Sequence, residues 1–314
     1  MPSTITASPS ELDSLRQCLF KHEHGYKQRW QAPTIGPALS RGIAWHTVME
    51  THYRTIKTLQ EARAAARKEG KAALKRYDLE HNETVWAKTI FDAVKPLLWS
   101  PITAQQTEQQ ELIEWMYQGY VEQYGLDPDW EILAVEHAPE VWLVNERGNR
   151  SRFRLKMKID LIIRERSSGN VYLVDHKSGK DLPSDKMLEI NDQFGLYTWG
   201  MRQIGRTVFG SIHNACRTQR NKDQARHPQT LESRHARKRL YRTDVELDAI
   251  ALDAYRALRH AYSIPVGEAP RSPNEDTCRW RCDYTEPCLM ARKGIGTMQE
   301  NLRQLGFVQD FTRH

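Results

Sequence analysis

From residue 151 the chain alternates. In SRFRLKMKIDLIIRER, Phe153, Leu155, Met157 and Ile159 fall on one face of an extended backbone, with basic residues on the other. The turn Ser167-Ser168-Gly169-Asn170 follows, then the apolar run Val171 to Val174, and together these predict a hairpin. Upstream, WEILAVEHAPEVWLVNERGN predicts two strands around a tight connection at Ala138 and Pro139. Downstream, TVFGSIHNAC (207–216) predicts one more strand.

The flanking sequence is helical in character. Residues 11–30 carry Cys18 and end before Pro33 and Pro37, after which Ser40 can cap a helix through RGIAWHTVMETHYRTI. Residues 56–124, rich in Ala, Glu, Lys and Leu, predict about three helices divided by Gly70, Pro96 and Pro101. Further helices are expected over 184–203 and near 244–262. Helices, then antiparallel-looking strands, a helix and a strand imply an α/β core with a helical insertion, not alternating βαβ units.

Composition narrows the class. The 314 residues carry 46 Lys plus Arg against 40 Asp plus Glu, a formal charge of +6 that favours a polyanionic partner. The opening MPSTITASPS is not a secretory signal, and no apolar run reaches membrane-spanning length, so a cytoplasmic location is expected. Five cysteines in a reducing compartment argue against a disulfide framework.

Asp160 is the single acid of an apolar and basic strand and is placed near its middle. Asp175 ends the next strand, so hairpin pairing brings the two carboxylates together. They repel unless a cation lies between them, and hard oxygen ligands suit Mg2+ or Mn2+. Lys177, two residues on, shares the face of Asp175. A metal that activates water and an ammonium that stabilises phosphate charge fit phosphodiester hydrolysis. Taken alone, Asp175 and Lys177 read first as an exposed ion pair at a strand end. His46 lies on a helix before the strands, and Gln193 and Tyr197 share a helix face at i, i+4 after Lys177.

In order, Gly-x-x-x-His, Asp, Asp-x-Lys and Gln-x-x-x-Tyr resemble the PD-(D/E)XK nuclease superfamily, in particular its RecB-like exonuclease branch. That branch includes the RecB-like nucleases of CRISPR adaptation and phage relatives. The matching stretches are RGIAWH (41–46), LAVE (133–136), KIDLI (158–162), VDHKSG (174–179) and QFGLY (193–197). The resemblance implies a restriction-endonuclease-like core, a mixed central sheet flanked by helices. It implies one nuclease domain over 1–314: core helix 40–60, helical insertion 61–125, core sheet and helix 126–216, basic loop 217–243, and 244–314 a helix plus a Cys-rich part closing on Cys18. It further implies that His46, Asp160 and Asp175 ligate the catalytic metal with the backbone carbonyl of His176. Lys177 would orient the attacking water, Gln193 and Tyr197 would shape the site and contact DNA, and Glu136 would support it from behind.

Cys278, Cys282 and Cys288 fall within eleven residues, a spacing that suggests metal. Cys18, in SLRQCLFKHEHGY, is the candidate fourth ligand. The pattern is similar to the iron–sulfur RecB-type nucleases, which implies one [4Fe–4S] cluster clasping both ends of the chain. The spacing here is C-x3-C-x5-C where many members have C-x2-C-x5-C. Structural zinc held by three cysteines with His22 or His24 is the competing metal, and buried thiols the third option. Cys216 reads as a buried small hydrophobe.

Residues 217–242 carry nine Lys/Arg and two acids, either a solvated loop or a phosphate-tracking arm. Trp30, Trp45, Trp115, Trp130 and Trp142 include candidates for base stacking, most of them better placed as core. The expectation is a metal-dependent DNA exonuclease on single strands or ends, with partners in recombination or CRISPR adaptation. The alternatives are a non-cleaving nuclease-like DNA-binding or decoy protein and a structural zinc protein.

Overall fold

The computed structural model describes residues 4–34, 36–98, 104–221 and 226–312. Within them the strands are β1 (Ile5–Ala7), β2 (Trp30–Gln31), β3 (Trp130–His137), β4 (Glu140–Val144), β5 (Arg150–Lys156), β6 (Ile159–Glu165), β7 (Val171–Gly179), β8 (Gly210–Arg217), β9 (His235–Leu240) and β10 (Val308–Gln309). The helices are α1 (Pro9–Gln17), α2 (Leu19–His22), α3 (Pro37–Glu69), α4 (Lys71–Glu80), α5 (Glu83–Leu98), α6 (Ala104–Tyr124), α7 (Asp185–Glu189), α8 (Asp192–Gln203), α9 (Leu231–Arg234), α10 (Asp244–Ser263), α11 (Glu275–Trp280), α12 (Thr285–Arg292) and α13 (Met298–Gln304). A π-helical turn occupies Glu23–Lys27.

The chain divides into two compact units. The first comprises 1–36, 140–157 and 244–314. In it β5 lies between β1, which runs parallel to it (Ile5↔Phe153), and β4, which runs antiparallel (Val141↔Leu155). A second cluster packs Phe20, Trp30, Tyr284, Met298, Leu302 and Phe307 around the cysteine-bearing segments.

The second unit comprises 37–139 and 158–243. Its five-stranded sheet has the order β3-β6-β7-β8-β9, antiparallel except where β7 and β8 run parallel. Alternation assigns Tyr172 and Val174 to the face covered by α3, α5 and α6, whose Trp45, Met49, Tyr53, Ile90 and Met116 are fully buried there. Leu173, Asp175 and Lys177 point the other way, towards α8.

Several sequence expectations change. The alternating run from 151 is two strands, with β5 in the first unit's sheet and β6 in the second's. Alternation specifies a face, but which sheet a strand joins depends on its pairing partner. For the same reason β3 and β4 pair with β6 and β5 and not with each other. Asp160 is the second residue of β6, and Asp175 stands mid-strand in β7. Ser40 lies inside α3, which starts at Pro37, a residue suited to a helix's first turn. Pro96 sits within the last turn of α5, two residues before the helix ends at Leu98, so the bond it removes and the carbonyl it crowds are confined to the helix end. Residues 184–203 form two helices, the second capped by the Asn191 side chain. The basic segment contains α9 and β9. Pro101 and residues 222–225 of the basic segment lie outside the described residues.

Candidate active site

The catalytic candidates all belong to the second unit. Antiparallel pairing of Val135 with Leu161 and His137 with Ile159 sets Glu136 opposite Asp160. Glu136 has a positive φ of 53°, an uncommon conformation for this residue type and one that cluster at functional positions. On the other side of β6 the ladder with β7 runs to Leu161↔Val174. The next β7 donor beyond it, the His176 N–H, is taken by Asp160 Oδ2 at 2.7 Å. His46, from α3, brings Nδ1 to 3.2 Å from the same oxygen.

Ligand atoms of His46, Glu136 and Asp160 lie within 4.8 Å of one another, the only such group of metal-binding side chains among the described residues. Glu136 also pairs with Lys158 at 2.5 Å. Asp175 stands outside this trio. Gln193 Nε2 donates to its Oδ1 at 2.9 Å, and Lys177 Nζ lies 2.8 Å from its Oδ2. Gln193 also donates to the Tyr197 hydroxyl at 3.0 Å, so the i, i+4 pair on α8 acts as one brace. Glu136 is the least legible member of this cluster in the sequence, because strand register and not local sequence brings it to Asp160.

The electrostatics follow from burial and neighbours. Burial works against ionisation of His46, yet the Asp160 carboxylate outweighs it and raises the imidazole pKa. Burial likewise opposes the Asp160 charge, but His46 and the His176 N–H pull its pKa below the usual value. Asp175 is pushed up by burial, more than the Lys177 ammonium pulls it down. One carboxylate is thus poised to stay charged while its neighbour holds a proton more readily. The Lys177 side chain is 38 % exposed, at the mouth of the site.

The His176 ring turns to the opposite face. It stacks on Tyr53 with centroids 5.4 Å apart and meets Asn214 Nδ2 at 2.8 Å through Nδ1. Burial lowers its pKa to about 3, so it is a neutral acceptor. Two further residues went unnoticed in the sequence. His213 and Lys238 stand in register with Asp175 across β8 and β9, extending the same face. The signal was present in SIHNAC, where His213 and Asn214 interrupt a buried strand.

Of the tryptophans, Trp30, Trp45 and Trp130 are buried. Trp115 is covered by Arg234 at 3.9 Å and Arg220 at 5.1 Å, and Trp142 by Arg150 at 3.5 Å. In the first unit, Cys18, Cys278, Cys282 and Cys288 line one cavity together with Lys21, Arg271 and Arg292. The Ser272 N–H points to Cys18 Sγ at 3.4 Å. No three of these sulfurs come within 4.8 Å of one another. His22 is engaged by Glu11 at 2.8 Å, and neither His22 nor His24 lines the cavity. Cys216 is buried in β8, and burial pushes its thiol pKa up.

A mixed sheet whose adjacent strands present carboxylates and a lysine to one helix-braced edge is the arrangement of a nuclease core. The family model of the PD-(D/E)XK nuclease superfamily matches residues 6–289, and the chain belongs to that superfamily. Among solved structures, a candidate exonuclease from Eubacterium rectale is 13% identical, with a TM-score of 0.43 over 89% of this chain and 86% of that one. The protein SSO0001 is 14% identical, with a TM-score of 0.30 over 69% and 77%. No curated protein matches the chain. Among the described residues no helix is long and apolar enough to cross a membrane.

Proposed function

We propose that the chain is a divalent-metal-dependent deoxyribonuclease of the RecB-like branch, an exonuclease acting on single-stranded DNA or DNA ends in recombination, repair or phage or CRISPR DNA processing. The observation that carries this reading is the convergence of His46, Glu136 and Asp160 beside Asp175 and Lys177. One imidazole among carboxylate oxygens suits Mg2+ or Mn2+. His46, Glu136, Asp160 and Asp175 would hold the ion, with the His176 carbonyl as a further donor. When bound, it supplies Lewis acidity to the phosphate and lowers the pKa of its water.

The chain's own groups account for the rest. Lys177 offers positive charge to a phosphate at the mouth of the site. Gln193, held by Tyr197, fixes Asp175 through one oxygen and leaves the other to Lys177. The His176 N–H fixes Asp160.

A [4Fe–4S] cluster is the occupant we assign to Cys18, Cys278, Cys282 and Cys288. A tetrahedral zinc with bonds of about 2.3 Å needs sulfurs roughly 3.8 Å apart, closer than this wider set. The surrounding Lys21, Arg271 and Arg292 offset the charge of a thiolate-bound cluster. Iron and acid-labile sulfide in the purified protein are expected, and stoichiometric zinc without iron would contradict the assignment.

The decisive experiment is cleavage of end-labelled single- and double-stranded DNA with Mg2+ or Mn2+. Wild type should shorten the DNA from an end and lose all activity in a chelator, while Asp160→Ala is inactive. Wild type that cuts with neither metal, or an Asp160→Ala variant that cuts equally well, would sink the reading.

A further inference from the structure

Beneath the catalytic edge, the second unit buries a polar network with no direct part in the chemistry above. Its backbone is a row set by strand register: His176 on β7 opposite Asn214 on β8, and Asn214 opposite Arg237 on β9. Asn214 Nδ2 donates to His176 Nδ1 at 2.8 Å, and Arg237 Nε donates to Asn214 Oδ1 at 3.3 Å. The Arg237 guanidinium in turn clasps Asp127, with Nη1 and Nη2 each donating to one carboxylate oxygen. Tyr53 donates to Asp127 at 2.6 Å, and the Tyr120 hydroxyl accepts from both Arg237 and Asn214. Tyr124 and Trp130 cover the guanidinium at 3.6 and 4.1 Å.

A buried Arg–carboxylate pair is a poor stabilising device, since apolar residues of the same volume serve as well or better. What this one offers is a fixed position. Its chain of hydrogen bonds ends on the ring of His176, which Tyr53 clamps from its face. The ring is therefore held by a directed bond and by a stack. The backbone of the same residue donates to Asp160 and lies between Asp175 and Lys177.

We propose that Asn214, anchored by Arg237 and Asp127, is a positioning residue that fixes the His176 backbone and, through it, the Asp160 carboxylate at the metal site. The inference rests on the metal reading of His46, Glu136 and Asp160. Removing such a support typically weakens metal binding by 10–100-fold.

Asn214→Asp is the informative variant. It keeps an oxygen for Arg237 and the side-chain shape, and it removes the Nδ2 donor that serves both His176 and the Tyr120 hydroxyl while adding a carboxylate charge beside the Arg237 guanidinium. Mn2+ titration calorimetry on the full chain without DNA, paired with the melting temperature without metal, separates positioning from folding. The expected result is a melting temperature near that of wild type with Mn2+ affinity at least about tenfold weaker. Unchanged Mn2+ affinity in Asn214→Asp, while His46→Ala loses binding, would overturn the inference and leave the metal site standing. Wild type that binds no Mn2+, or His46→Ala that binds as wild type does, would overturn the metal reading and the inference with it. Should Asn214→Asp not fold, Asn214→Ala is read by the same two measurements.

Discussion

Lys177 is the residue whose removal separates chemistry from stability. Its side chain is partly exposed, and its Asp175 partner keeps the Gln193 amide. Lys177→Ala should lower single-turnover cleavage by about 10²–10³-fold, the usual effect of deleting one charge-stabilising donor, with an unchanged melting temperature. Gln193→Ala should cost less, because Lys177 still restrains Asp175. Near-equal losses for the two would mean that Lys177 only orders the carboxylate. Asp160, Asp175 and Lys177 were legible in sequence because charges in apolar strands need a reason, whereas His46, on a helix, stood out only through the family resemblance. The standing of Glu136 was not legible, since a left-handed φ and a cross-strand register decide where its carboxylate points.

At the scale of elements, the basic segment 217–242 is the largest revision. Charge density predicts solvated chain, yet β9 pairs along β8 from Ser211↔Leu240 to Cys216↔His235. It can do so because His235 is buried and Arg237 finds Asp127, so the charges that forbid a strand in isolation are satisfied in the fold. The short helix before β9 lies against α6, with Arg234 donating to the Trp115 carbonyl at 2.7 Å. Gly119 makes that approach possible. A Cβ there would stand 2.3 Å from Arg234 Nη2 and 2.8 Å from His235 Nε2. Gly119→Ala should cost about 1–3 kcal/mol of overpacking against the Arg234 and His235 side-chain ends, less the roughly 1 kcal/mol that Ala gains over Gly inside a helix, a modest net fall in the urea midpoint. A neutral or stabilising substitution would show that α6 and β9 part easily.

For the molecule as a whole, buried histidines set the acid limit. Burial holds His52, His213 and His235 at about 4 and His176 at about 3, all in the second unit. Unfolding returns each towards 6.5, so the unfolded chain binds more protons below that value. Their contribution to stability is complete above about pH 6.5 and is lost as pH falls towards 4. Melting temperature should therefore drop steeply over that window, with more than one proton taken up on unfolding. A flat profile between pH 7 and pH 4.5 would contradict the buried, neutral assignment. Cys18→Ser tests the other unit: if a cluster ties Cys18 to the three later cysteines, the variant should lose iron and melt earlier, because metal binding and folding are coupled.

The sequence by itself determined the residue types of the site, the α/β class, the β6–β7 hairpin and the two halves of the cysteine set. Each depends on local spacing: alternation, turn residues, i, i+4 pairs and clustered thiols. Tertiary structure decided which sheet each strand joined, that Glu136 faces Asp160, and that His176, Asn214 and Arg237 form a row. Those facts depend on register between strands distant in sequence, where one step of slippage would turn every side chain to the other face.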